Sequence, residues 1–159
     1  MINKKCIGFS IGSAWIFKKN IIDIFKSRIY NIHGANLPSD RGGGGFSWQI
    51  LKNNKNGFSC LHKINEKIDY GNIIKTSKFS SRSFNNPIDW QKKYIKVSAD
   101  MFKKNLSNLF TRKIISKKQS KTHSTYWPRL DTEIHGWINW SWSGNDIVNC
   151  IKAFGDPYA

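Results

Sequence analysis

"RIYNIH" (28–33) is an alternating run that ends abruptly: Gly34 follows at once, then Leu37-Pro38, then Arg41 and the glycines Gly42 to Gly45. Alternation of period two reads as a strand and places Asn31 and His33 on the same face. Gly34 and Pro38 end it, so the chain must leave the sheet just where two polar side chains stand. "CIGFSI" (6–11), closed by Gly12, reads as a buried strand. "WIFKKNIIDIF" (15–25) carries Ile16, Phe17, Ile21, Ile22, Ile24 and Phe25 close to helical spacing. A short helix over 46–53 follows the glycines. The strands "FSCLHKI" (58–64) and "NIIKTSKF" (72–79) form a hairpin-like pair in which Gly71 is expected to supply a positive φ.

Asn86-Pro87 is an N-cap followed by a proline in the first turn, and it predicts a long helix to about residue 115. Its expected buried face is Tyr94, Ile95, Val97, Met101, Phe102, Leu106 and Leu109. A polar linker, "ISKKQSKTHST", leads to an extended aromatic segment (126–142) and a last short helix, "GNDIVNCIKAF". Strand, helix, strand, short helix and a hairpin make an α/β pattern. Ligands of open α/β sheets sit beyond the carboxyl ends of strands, which makes Asn31 and His33 site candidates.

A chain of 159 residues with 39% hydrophobic and 14% aromatic content has room for one domain with a real core. It contains no apolar run of membrane-spanning length, and its polar start does not read as a signal peptide. Cys6, Cys60 and Cys150 are far apart and form no C-x-x-C pair, which argues for reduced thiols in the cytoplasm and against a metal. The net charge is +16, and residues 91–122 hold ten Lys or Arg against Asp100 alone. Such a stripe either binds phosphates in a salt-sensitive way or is the solvated face of a helix.

Two blocks carry a family resemblance. "NIHGANLPSDRGG" is followed, a few dozen residues on, by "HKINEKIDYGNII". Asn31, His33, Leu37 and Pro38, then Ile68, Asp69, Gly71 and Ile73, resemble the motif of the 10-formyltetrahydrofolate-dependent formyltransferases. These act on methionyl-tRNA, glycinamide ribonucleotide or amino-sugar nucleotides. The late segment from Tyr126 resembles the one closing the catalytic domain of the tRNA and sugar enzymes.

The resemblance implies a partial Rossmann-like formyltransferase sheet with a long helix and an extended C-terminal segment, the family's first βαβα units being missing. Residues 1–122 would then be an N-terminally truncated catalytic core and 123–159 its aromatic closing segment. It also implies roles. Asn31 donates an amide N–H to the oxyanion that develops when an amine attacks the formyl carbon. His33 takes the amine proton or stabilises the intermediate, since histidine titrates near neutral pH. Asp69 orients the histidine and passes a proton toward the departing folate nitrogen. In similar enzymes the pterin lies against backbone, here at Ala14, Trp15, Ile16 and Phe17 and along Ile64 to Asp69, Ile68 included.

Ala35 stands where the family often has Ser, and the tail reads His135-Gly136…Ile138-Asn139-Trp140 in place of Asp-Gly…Ile-Asp-Trp. The donor implied is 10-formyltetrahydrofolate, without a metal. Trp48 and the aromatic cluster at Trp127, Trp137, Trp140 and Trp142 favour an amino-sugar nucleotide as acceptor. The basic stripe favours initiator tRNA, and a non-catalytic module binding RNA or another anion is the alternative of a different class. The absent front half implies a chain that is homo-oligomeric or completed by a missing N-terminal half, and that involves no membrane.

Overall fold

The computed structural model describes residues 6–13, 15–43, 45–111 and 113–157. Strands β1 (Gly8–Ile11) and β2 (Ile29–His33) pair in parallel, joined through helix α1 (Lys19–Ile24). β4 (Asn56–Lys63) and β5 (Ile73–Ser80) complete a four-stranded sheet in the order β1-β2-β4-β5, and both of their pairings are antiparallel. The loop 64–72 between β4 and β5 is too short for a parallel crossover, so this half of the sheet folds as a hairpin. A second, two-stranded sheet pairs β3 (Arg41–Gly42) with β6 (Tyr126–Trp127), bringing the late aromatic segment onto the glycine-rich stretch.

Alternation along β1 shows how the sheet is covered. Gly8 faces Phe25, at the end of α1, whereas Phe9 stacks on Tyr30 and meets Phe102 edge-on. Phe102 belongs to α3 (Pro87–Thr111), so α1 and α3 lie on opposite faces. Under α3, Tyr30, Ile32, Leu61, Met101 and Leu109 form one apolar cluster. A second cluster joins Trp90 and Phe79 to Ile50 of α2 (Gly45–Leu51) and to Cys150, Ala153 and Phe154 at α5 (Gly144–Ala153). A four-residue helix α4 (Thr132–His135), capped by Asp131, precedes α5.

Four expectations are corrected. Residues 15–18 are not helical, and α1 begins only at Lys19; Ile16, Ile21 and Ile24 are exposed, with Ile22 the one buried position of α1. Ile95 is 56% exposed, whereas Ser98 is turned to the sheet, its hydroxyl 2.8 Å from that of buried Ser59. A polar pair at the helix–sheet contact is invisible to an apolar periodicity.

α3 ends at Thr111 rather than near 115. The chain then runs back along the sheet, where Lys117 and Ile73 exchange backbone hydrogen bonds of 2.7 and 2.8 Å. Gly71 does not take a positive φ; its need is space, since a Cβ there would collide with the Lys63 carbonyl. The left-handed backbone belongs instead to Asp69, at φ 54°. Among the described residues, no helix is long and apolar enough to cross a membrane.

Candidate active site

Asn31 and His33 project from β2 onto the face that carries α1. Register sets their neighbours, because Asn31 pairs with His62 and His33 with Cys60, and directly opposed residues share a face. The 64–72 loop starts where the backbone N–H of Ile64 donates to the Ile29 carbonyl at 2.9 Å. It then folds back over this face and delivers Asp69. The left-handed conformation of Asp69 is one that a short acidic side chain tolerates better than most.

Asp69 sits at the centre of the cluster. One carboxylate oxygen lies 3.4 Å from Asn31 Nδ2 and 3.4 Å from His62 Nε2. The other accepts the Gly42 N–H at 3.0 Å and is 3.7 Å from His33 Nδ1. Burial pushes this carboxyl up, but the hydrogen bond from His62, the charge of His33 and the Gly42 N–H together outweigh it. The result is a carboxyl held down at about 2. Asp69 is therefore an anion at neutral pH.

Carbonyl partners assign the histidine tautomers, since a carbonyl only accepts. His33 Nε2 donates to the Asp40 carbonyl at 2.7 Å, which leaves Nδ1 as the basic nitrogen facing Asp69. His62 Nδ1 donates to the Lys63 carbonyl at 2.8 Å; its Nε2, 3.2 Å from Asn31 Nδ2 and 3.4 Å from Asp69, accepts from the amide when the ring is neutral and donates to the carboxylate when the ring is protonated. A proton arriving at His33 Nδ1 thus meets a carboxylate held beside it. The arrangement can accept a proton at His33, and it presents one amide N–H whose contact with Asp69 is long enough to be exchanged for another acceptor.

A narrow cleft beside His33 is lined by Asp40, Gly42, Gly43, Trp48 and Trp127. Trp48 donates its indole N–H to the Pro128 carbonyl at 2.8 Å and packs on Trp127 with ring centroids 4.6 Å apart. Lys52 lies 4.2 Å over the Trp127 ring and pairs with Asp40 at 2.9 Å. The roomier groove is on the opposite face, between β5 and α3, bordered by Lys75, Asp100 and Lys104. It touches none of the clustered residues, so the convergent chemistry places the candidate site at His33.

The structure brings Asn31, His33 and Asp69 together. The expected pterin contacts are more dispersed. Ala14 lies outside the described residues. Trp15 is 80% exposed and Ile16 is also exposed, while Phe17 is half-buried. All three follow β1, whose parallel pairing sends them out at the same end of the sheet as His33. Ile64 anchors the start of the Asp69 loop, and Ile68 is exposed beside Asp69. Sequence reasoning missed His62, only 2% exposed, and the Gly42 N–H. His62 alternates with Cys60 in a strand, but only the β2–β4 register reveals that it faces Asn31. Among the described residues, no group of three or more His, Cys, Asp or Glu could hold a metal ion.

No family model matches this chain. Individual proteins do. A methionyl-tRNA formyltransferase of Borrelia duttonii is 33% identical over 146 residues, which are 92% of this chain and 46% of that protein. Among solved structures, WlaRD, a sugar 3N-formyl transferase studied in the presence of dTDP and 5-N-formyl-THF, matches with a TM-score of 0.81 at 31% identity. The match covers 93% of this chain and 53% of that one. An N-formyltransferase from Helicobacter canadensis, in complex with folinic acid and dTDP-3-aminofucose, matches with a TM-score of 0.80 at 30% identity. It covers 92% of this chain and 54% of that one. The chain thus spans about half the length of these relatives.

Proposed function

From its membership of the formyltransferase family, of whose relatives it spans about half the length, we propose that this chain carries the site of a formyl transfer from 10-formyltetrahydrofolate to a primary amine. The observation that carries the reading is the convergence of Asn31, His33 and Asp69, with the carboxylate 3.4 Å from Asn31 Nδ2 and 3.7 Å from His33 Nδ1. In the reaction, the amine nitrogen bonds to the formyl carbon and the carbonyl electrons move to oxygen. Asn31 then gives its exchangeable N–H to that oxygen. The amine proton passes to His33 Nδ1, where Asp69 stabilises the imidazolium. Collapse of the intermediate breaks the bond to the folate nitrogen, which takes the proton held at His33 and so restores the neutral imidazole, while the formamide remains on the acceptor. The pterin would lie along Ala14 to Phe17 and Ile64 to Asp69.

The acceptor we infer is an amino-sugar nucleotide. The Trp48–Trp127 pair walls the cleft beside His33 with apolar ring surface that suits a sugar. Initiator methionyl-tRNA is the second reading, favoured by the Borrelia relative and by Lys92, Lys96 and Lys103, exposed along α3. Residues 1–122 would then hold the catalytic groups, with 123–159 closing the site through β6. Donor and acceptors of this kind suit a cytoplasmic protein.

The test supplies 10-formyltetrahydrofolate with an amino-sugar nucleotide or with methionyl-tRNA. It uses the chain alone and the chain fused behind the N-terminal half of the Borrelia relative, and product is read by mass spectrometry. A formylated sugar nucleotide is expected. A formylated tRNA alone replaces the acceptor. RNA binding with no folate binding and no product in either form overturns the enzymatic reading.

A further inference from the structure

Arg41 is 2% exposed, and among the described residues no carboxylate lies within ion-pair distance of its guanidinium. A buried cation without an anion is costly, so its neutral partners must be arranged closely around it. They are. Nε and Nη2 both donate to Gln119 Oε1, at 3.2 and 2.7 Å, and Nη1 donates to the Ser124 hydroxyl. The Tyr70 ring covers the guanidinium, with Cζ 3.4 Å from its centroid.

Gln119 continues the chain of contacts. A guanidinium only donates, so the oxygen of the Gln119 amide must face Arg41 and the nitrogen must face away. That nitrogen donates to the carbonyls of Asp69 and Gly71, each at 2.7 Å. All four hydrogen-bonding positions of the amide, two on oxygen and two on nitrogen, are therefore taken. The carbonyls it grips flank Tyr70, whose ring lies on the arginine. On its other side Arg41 is joined to Gly42, whose N–H holds the Asp69 carboxylate at 3.0 Å.

We propose that Arg41 and Gln119 are positioning residues that clamp Asp69, holding its backbone left-handed and its carboxylate against Gly42, His62 and His33. The clamp ties three segments distant in sequence, the glycine-rich stretch, the Asp69 loop and the linker after α3. Its consequence for catalysis rests on the formyl-transfer reading. Its consequence for the carboxylate does not.

Titration of the Asp69 carboxyl by carbon NMR reads the clamp directly, whether or not the protein transfers formyl groups, so the two readings fail separately. Gln119→Met keeps side-chain length and neutrality but can neither accept from Arg41 nor donate to the loop. Arg41→Lys keeps the charge but not the two-pronged grip on Oε1. In both variants the Asp69 carboxyl should move from about 2 toward its ordinary 3.8. A purely structural role would lower the melting temperature and leave that titration where it was, and this result overturns the proposal.

If neither variant folds, the wild-type protein decides. The Gln119 side-chain amide protons should exchange slowly and show contacts to Asp69 and Gly71. Rapid exchange without those contacts overturns the clamp. In whichever acceptor assay shows turnover, both variants should lower kcat while leaving KM for the folate donor near its wild-type value.

Discussion

At the scale of single residues, Asp69 is the group on which the site turns. Its folded carboxyl, near 2, lies below the 3.8 of an ordinary aspartate, so its contribution to stability is fully present above about pH 4. That contribution is lost as pH falls from 3.8 toward 2, because protonation removes the attraction of both histidines. The shift corresponds to roughly 2 kcal/mol. Acid-unfolding curves should therefore lose about that much between these values, and Asp69→Asn should flatten the curve there.

The catalytic assignments predict a different pattern. His33→Ala and Asp69→Ala should each cut turnover by about a hundred- to ten-thousand-fold with little change in folate affinity, since both act on charge that develops in the transition state. Asn31→Ala should remove an oxyanion donor worth about 3–4 kcal/mol. Steady-state kinetics beside a folate-binding titration separates these effects. Turnover that survives all three changes would move the chemistry to other residues.

At the scale of elements, α3 depends on its start and on one polar contact. Asn86 Oδ1 accepts the Asp89 N–H at 2.9 Å, while the Asp89 carboxylate accepts the Asn85 N–H at 3.0 Å, a reciprocal cap ahead of 25 helical residues. Asn86→Ala should cost about 1 kcal/mol in a denaturant melt. Ser98→Ala strands the buried Ser59 hydroxyl and should cost about 1–3 kcal/mol, although it deletes only one oxygen. Gly71→Ala should be the more damaging change, because the loop crosses the Lys63 carbonyl with no room for a Cβ. Disrupting that crossing should also loosen Asp69, two residues away.

For the whole molecule, two surface properties set its behaviour. Strand β1 pairs only with β2, so its outer edge is unpaired among the described residues, and Ile11, Trp15 and Ile16 stand exposed close by. A free edge with apolar neighbours invites association. Sedimentation of the isolated chain should show concentration-dependent self-association, reduced by Ile11→Lys; a clean monomer with a sharp, high melting transition would contradict this. The exposed lysines of α3 make the second prediction. Lys-to-Gln changes at 92, 96 and 103 should leave sugar-nucleotide turnover intact, yet weaken any RNA ligand and flatten its salt dependence.

What could be read from the sequence was whatever is local. Alternation in 28–33 put Asn31 and His33 on one face, and Gly34 and Pro38 ended the strand there. Asn86-Pro87 marked the start of α3, and the resemblance of two motif blocks to the formyltransferases pointed to Asp69. The strand and helix signals each lie within a few residues, where backbone geometry dictates the outcome; Asp69 was legible only through the family resemblance. Tertiary structure decided the rest. His62 faces Asn31 only through the register of β4 on β2, Gln119 reaches Asp69 from 50 residues away, and Arg41 is buried by a tyrosine from a separate loop. Ser98, not Ile95, is turned to the sheet, where its hydroxyl meets that of Ser59. Such pairings depend on which segments meet in space, and no periodicity along one segment carries that information.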